Sequence, residues 1–451
     1  MATNKPQHAA YFLRTKVNAL ERAGRKDPIV RFDAQTNLPS FRTTQFRDIN
    51  RTHSEFVKLA EHLSSAVPET YVPAVPVATT SAGAGTEEDD MRMKTMMQTW
   101  LDRVCEDLLL IRDEEVMFFI ESDFGYSPVV QKKQPATGLR RKALKMQAPP
   151  PDESHELAEA RPCVKSFYIA TLDAASKLDK EVKSRKGLGL SESELGIKLG
   201  TMTNVETHSG LHNAFKKLGK TIQNAGDLHS TQATSEAASL GDQLSYHASD
   251  AFIVKETLTN RQILMKDLIA AEKNTRSKRS TADRMKGASN LKEDKVNEAL
   301  TSHEEARNHE QYLDSKVSRV TGNLLLQQRK WVKSTTNDLR QAIRDYAIRQ
   351  IESERRLLGT LETVRPDIRS IDPSGGLSRL GRDASVIQKS KAGLISQTAH
   401  GDAWSGVPRN SSSVVPVVEE HSNEPTAQHE REPSDDFDAK GAADRLATST
   451  F

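Results

Sequence analysis

Leu211, Phe215, Leu218, Ile222 and Ala225 recur at intervals of four, three, four and three residues. That alternation lays apolar side chains along one narrow stripe of a helix, and such a stripe is stable only against other helices. A second seam runs through Leu240, Leu244, His247, Ala251, Val254 and Leu258 and resumes at Met265 and Leu268. A third contains Leu313, Val317, Val320, Leu324 and Trp331, then changes phase to Leu339, Ile343 and Tyr346. Residues 161–365 therefore read as an elongated three-helix coiled-coil bundle. Helices of about 30, 50 and 70 residues would make its last rod roughly 100 Å long at 1.5 Å per residue. The composition agrees: 28% charged and 5% aromatic residues suit narrow seams and polar surfaces better than one compact core.

The flanking regions differ. Residues 10–126 read as a small α+β domain, with three short alternating segments at 11–20, 27–38 and 41–51 forming an antiparallel meander broken by Gly24, Pro28 and Pro39. Ser54 opens a helix with Phe56, Leu59 and Leu63 on one face. Pro68, Pro73 and Pro76 mark an extended loop, and helical spacing resumes at Met91 with Met93, Met97, Trp100, Leu101 and Val104 on one side. Residues 127–160 read as a basic, proline-rich linker without a core. Residues 366–451 lack apolar periodicity and read as a disordered tail.

Several function classes are disfavoured. Cys105 and Cys163 are too far apart in sequence for a metal-ligand spacing and fit a reducing cytosol. No signal-peptide pattern opens the chain, and no run is long and apolar enough to span a bilayer. No catalytic constellation, cofactor motif or nucleic-acid patch is readable, and the formal charge of +2 leaves partners to local clusters. His208 and His212 stand one helical turn apart, but without a third ligand they read as polar positions of the bundle rather than a metal site.

The meander, "RTHSEF" leading into a helix, the loop "VPAVP" and a helix carrying Arg92 together resemble a phox-homology (PX) domain. The linker, an amphipathic helix and three long helices resemble a BAR domain, and that order is similar to the sorting nexins. The phrases "TSAGAGTEEDD" and "IESDFGYSPVV" resemble a sorting-nexin subunit of a retromer-type coat. The resemblance implies a pocket for a 3-phosphoinositide built from an arginine pair, an aromatic residue, a cation after the proline loop and an arginine on the next helix. Arg51 matches the first arginine, Thr52 replaces the second, and His53 replaces the aromatic residue. Glu87, Glu88, Asp89 and Asp90 stand where the family has a cation, and Arg92 matches the last arginine. The pocket reads as degraded, with a strand-end salt bridge as the alternative role of Arg51.

Between the second and third long helices, Lys273, Arg276, Lys278, Arg279, Arg284, Lys286, Lys292 and Lys295 outnumber Asp283, Glu293 and Asp294. In a BAR layout this is a membrane-binding tip; the alternative is a solvated hairpin. Val164, Tyr168, Leu172, Ala175, Leu178 and Val182 share one side of a helix that either wedges into headgroups or packs on the bundle. Leu211, Phe215, Leu218 and Ile222 are the candidate dimer seam, and His208 and His247 are polar positions within the seams. The resemblance implies a peripheral protein of the cytoplasmic face of endosomes that pairs with a second PX-BAR sorting nexin. It would bind anionic, phosphoinositide-containing membrane, and with the cargo-selective trimer of retromer support endosome-to-Golgi retrieval. The rival is a cytosolic coiled-coil scaffold whose PX fold docks proteins. Homodimer or heterodimer stays open at this level.

Overall fold

A computed structural model of the protein describes residues 11–22, 27–128, 138–286, 293–369 and 371. Three strands, β1 (Leu13–Glu21), β2 (Ile29–Thr36) and β3 (Gln45–Thr52), form one antiparallel sheet in the order β1-β2-β3. The expected break at Gly24 lies outside the described residues. Along β2 the side chains of Val30, Phe32, Ala34 and Thr36 are buried, while those between them reach toward solvent. This is the period-two pattern of a sheet with one covered face.

Three helices supply the cover. From α1 (His53–Ala66) come Phe56, Leu59 and Leu63; from α2 (Glu87–Cys105), Met93, Met97, Trp100, Leu101 and Val104; from α3 (Glu114–Glu121), Val116, Phe119 and Ile120. The Phe56 ring lies 4.9 Å from Phe119 and 5.6 Å from Trp100, and Phe119 lies 5.1 Å from Tyr126. Trp100 Nε1 donates to Pro73 O at 2.9 Å, which pins the proline loop to this core. The α+β fold read from the sequence is the one observed.

The C-terminal half is helical as expected, with different boundaries. After α4 (Gly138–Met146) come α5 (His155–Met202) and α6 (Ser209–Glu236), then a π-helical turn (Ala237–Gly241) that continues into α7 (Asp242–Lys286). The last elements are α8 (Glu293–Thr363) and the short α9 (Arg365–Arg369). The second long helix thus runs unbroken from Ser209 to Lys286, roughly 115 Å at 1.5 Å per residue. That is longer than expected, because the π turn shifts the seam phase without ending the helix. Residues 372–451, most of the segment read as a disordered tail, lie outside the described residues.

One expectation about the middle of the chain is corrected, and an open choice is decided. The segment read as a linker carries α4 and the start of α5, and Leu157 and Ala160 are buried in the bundle core with Val164, Val254, Leu258 and Leu324. Pro162 would ordinarily mark a helix start; here the burial of the preceding turn holds α5 together through it. The stretch expected as an amphipathic helix is the body of α5, and Val164, Leu178 and Val182 are packed inside. Of the two readings, packing on the bundle is the one observed, with Leu172 of that face left exposed.

Packing between α5 and α6 is closer than the seams suggested. A Cβ on Gly196 would lie 2.4 Å from Gly219 O, and one on Gly226 would lie 2.4 Å from Gly189 O. Backbones meet here, so the buried side of α6 is Ala214, Gly219, Thr221, Ala225 and Gly226. Leu211, Phe215, Leu218 and Ile222 are only half-buried, beside that contact rather than in it.

Candidate functional site

The β3–α1 junction places the residues compared with a phosphoinositide pocket, and each has a partner within the chain. Arg51 is buried, and its guanidinium donates to Phe119 O and Asn50 O, each at 2.7 Å, and to Ser122 O. Phe119 O and Ser122 O belong to the C-terminal end of α3, where carbonyls lack helical partners and a cation is favoured. Arg51 therefore caps α3, and the expected strand-end salt bridge is not what holds it. Burial pulls its guanidinium below the usual value, against the raising effects of Glu55 and Asp123.

Thr52 is the N-cap of α1; its N–H and Oγ1 meet Glu55 Oε2 at 2.6 and 3.0 Å. The other Glu55 oxygen accepts from Tyr126 N. His53 Nε2 lies 2.6 Å from Pro76 O, tying the proline loop to α1. The acids Glu87, Glu88, Asp89 and Asp90 are the first turn of α2 rather than a loop, a position where the helix dipole favours negative charge. Asp89 is fully buried, accepting from Thr80 N and Oγ1 at 2.7 Å and pairing with Arg22.

Arg92 points away from this junction. Its Nε and Nη2 bond Glu88 Oε1 at 3.0 and 2.9 Å, and its Nη1 donates to Ala238 O, in the π turn of the bundle, at 3.0 Å. Glu88 in turn meets Arg349 of α8 at 3.1 Å. A cleft of about 790 Å³ opens between α2 and the bundle, lined by Arg92, Arg103 and Arg349 but by five carboxylates as well. The excess of acids there opposes an anionic ligand.

The contact between the two halves extends well beyond Arg92. Tyr71 OH donates to Gln328 at 2.9 Å, Ala74 N to Asp250 at 2.9 Å, and Ser81 N and Oγ to Asp242 at 2.8 and 2.6 Å. Glu69 accepts from Arg319 at 2.6 Å and Asn323 at 3.0 Å, and Arg103 pairs with Asp338. Tyr71 joins the apolar core formed by α5, α7 and α8. The proline loop, read from the sequence as an extended loop, is thus built into the bundle. Nothing in its sequence spacing announced these long-range partners.

The bundle has two contrasting ends. At the α7–α8 end Lys273, Arg276, Lys278, Arg279, Arg284, Lys286 and Lys295 are exposed, while Lys292 lies outside the described residues. Among the described residues, Arg279 with Asp283 at 3.9 Å is the one ion pair these cations make. At the other end, α5 turns into α6 and α8 finishes alongside. There Leu190, Leu195, Ile197, Val205, Ile351 and Leu358 are exposed, beside the half-buried Leu211, Phe215, Leu218 and Ile222. His208 does not interrupt a core seam: it is the N-cap of α6, its Nδ1 accepting from Leu211 N at 3.2 Å. His212 Nδ1 lies 3.0 Å from Thr203 O.

A third surface was not visible as such in the sequence. Three of the four cations of α4 reach α7: Arg140 pairs with Asp267 at 3.1 Å, and Arg141 and Lys145 with Glu256 at 2.6 and 2.8 Å, while Lys142 is exposed. Burial pushes the Glu256 carboxyl up, but Lys145 and Arg141 outweigh it and hold it below the usual range. The outward edge is mixed, with Leu139 86% and Met146 81% exposed on either side of the exposed Lys142. No helix among the described residues is long and apolar enough to cross a membrane.

Comparison with known proteins accords with this geometry. Residues 40–123 match the family described as "PX domain", and residues 173–367 match "Vps5 C terminal like". In the cryo-EM structure of the SNX-BAR Mvp1 tetramer, a chain 13% identical superposes with a TM-score of 0.50, covering 79% of this chain and all of that one, which supports the fold. Vacuolar protein sorting-associated protein 17 of Schizosaccharomyces pombe is 41% identical over 393 residues, covering 87% of this chain and 71% of the relative. Its Saccharomyces cerevisiae counterpart is 39% identical over 413 residues, covering 90% and 73%. At that identity, over a PX fold docked on a BAR-type bundle, the chain belongs to the family of vacuolar protein sorting-associated protein 17.

Proposed function

We propose that the chain is a peripheral membrane subunit of a retromer-type sorting-nexin coat on endosomes, supporting retrieval of receptors toward the Golgi with a cargo-selective trimer. The observation that carries this reading is the polarity of the bundle. One end exposes leucine and isoleucine where a second bundle would cover them, and the other exposes lysine and arginine where an anionic leaflet would attract them. A second PX-BAR sorting nexin is the partner that fits the apolar end, through Leu211, Phe215, Leu218 and Ile222 together with the exposed residues of α5 and α8. Paired bundles would present two basic ends to one curved membrane and add their affinities. The outward Leu139 and Met146 of α4 would insert at the headgroup boundary.

In this reading the PX fold acts as a docked module. Arg51 and Arg92, the arginines that matched a phosphoinositide pocket, are engaged with α3 and with the bundle. That favours membrane recognition by charge and curvature over recognition of one headgroup.

The test is co-sedimentation of the full chain, paired with its cognate sorting nexin, with vesicles containing phosphatidylserine. Replacing Lys278, Arg279, Arg284 and Lys286 with glutamate should abolish recovery with the vesicles and leave the pair intact. A reversed tip that still sediments at physiological salt refutes the membrane assignment and leaves a scaffold.

A further inference from the structure

His247 on α7 is 1% exposed, and neither of its ring nitrogens has a hydrogen-bond partner. Buried polar atoms are nearly always paired, so a ring with both nitrogens unsatisfied requires a reason. Its surroundings supply one. Arg103 reaches in from α2 to pair with Asp338 of α8 and donates to Tyr246 OH at 3.2 Å. Asp338 Oδ2 lies 3.9 Å from His247 Nε2, too far for a hydrogen bond to the neutral ring. Asp250, one turn along α7, accepts from Ala74 N of the proline loop at 2.9 Å and from Trp331 Nε1 of α8 at 2.7 Å. The Tyr246 ring packs at 5.3 Å, and α5 meets this part of α7 through Leu178 near Leu244. The charges facing His247 are thus one guanidinium and two carboxylates, and both carboxylates hold the PX domain to the bundle.

We propose that His247 is an acid-sensitive release for the PX domain: once protonated, it draws Asp338 away from Arg103 and repels that guanidinium, loosening the docked state. Burial holds the ring below its ordinary range, opposed by Asp250 and Asp338 and reinforced by Arg103. The sign follows from linkage. The docked state binds the proton more weakly than an undocked state whose ring reaches water, with an ordinary value of about 6.5. Docking is therefore fully present above that pH and weakens below it, by at most tenfold per pH unit. Between pH 7.5 and 5.5 the docking equilibrium should fall, by up to about tenfold. This rests on the docked fold and not on the proposed membrane role.

Hydrogen exchange of the Ala74 amide in the full chain, corrected for the intrinsic pH dependence of exchange, reads the docking directly. Protection at Ala74 should drop, by up to about tenfold, from pH 7.5 to 5.5 while the amides within β2 keep theirs. H247F should remove that pH dependence, and should it fail to fold, H247Q serves the same purpose. A histidine that only fills space would shift protection equally at both pH values in the variants and leave the drop in place. A drop that persists in the variants, or none in the wild type, overturns the proposal.

Discussion

The PX core and the α5–α6 end of the bundle handle their large apolar side chains in opposite ways. In the PX domain Phe32, Phe56, Trp100 and Phe119 are completely inside, stacked on one another under the sheet. At the α5–α6 end the interior is glycine and alanine, and Leu190, Leu195, Ile351 and Leu358 stay outside. The first arrangement is complete by itself. The second leaves apolar surface that a lone chain cannot cover, because backbones already touch where larger side chains would have to enter. A closed core and an uncovered apolar surface sit in one polypeptide, and the proposed pairing would use only the second.

Three variants probe that contrast, in order of expected effect on the chain itself. Trp100→Ala removes a buried ring and its hydrogen bond to Pro73, and should cost about 3–5 kcal/mol. Chemical denaturation followed by Tyr and residual Trp signals would show it, and a loss below about 1 kcal/mol would mean that the PX core tolerates a cavity this contrast excludes. Gly196→Val forces a branched side chain against Gly219 O and should cost about 1–3 kcal/mol as α5 and α6 separate. Thermal unfolding by circular dichroism should register the loss while exchange protection in the sheet stays unchanged. Leu190→Ser combined with Ile351→Ser should alter the stability of the chain alone by no more than about 0.5 kcal/mol per site, both being exposed. Sedimentation of the chain with its cognate sorting nexin should nevertheless show a weakened pair. An unaffected pair would move the interface elsewhere.

Arg51 and Arg92 show how far a motif can be read. Both stand where a PX pocket would use them, and composition and spacing offered no way to tell that one caps α3 and the other reaches Ala238 O. Their partners are backbone carbonyls, which carry no signature in a sequence. The acidic run Glu87–Asp90 was legible as charge but not as the first turn of α2, because Thr86 as N-cap follows a glycine-rich stretch that reads as loop.

The sequence by itself determined the element types: the sheet from two-residue alternation, and the long helices from four-three seams. It also determined the separation of an α+β domain from a long helical bundle, since these periodicities belong to the backbone geometry of single elements. Only the tertiary structure decided which helical faces turn inward and what the arginines hold. It also decided that α4 exposes Leu139 and Met146, and that His247 is enclosed between Arg103 and two carboxylates. Those outcomes depend on partners far apart in the chain, such as Ala74 with Asp250 and Gly196 with Gly219. The choice among them is made by close packing and by pairing buried polar groups, neither of which local periodicity encodes.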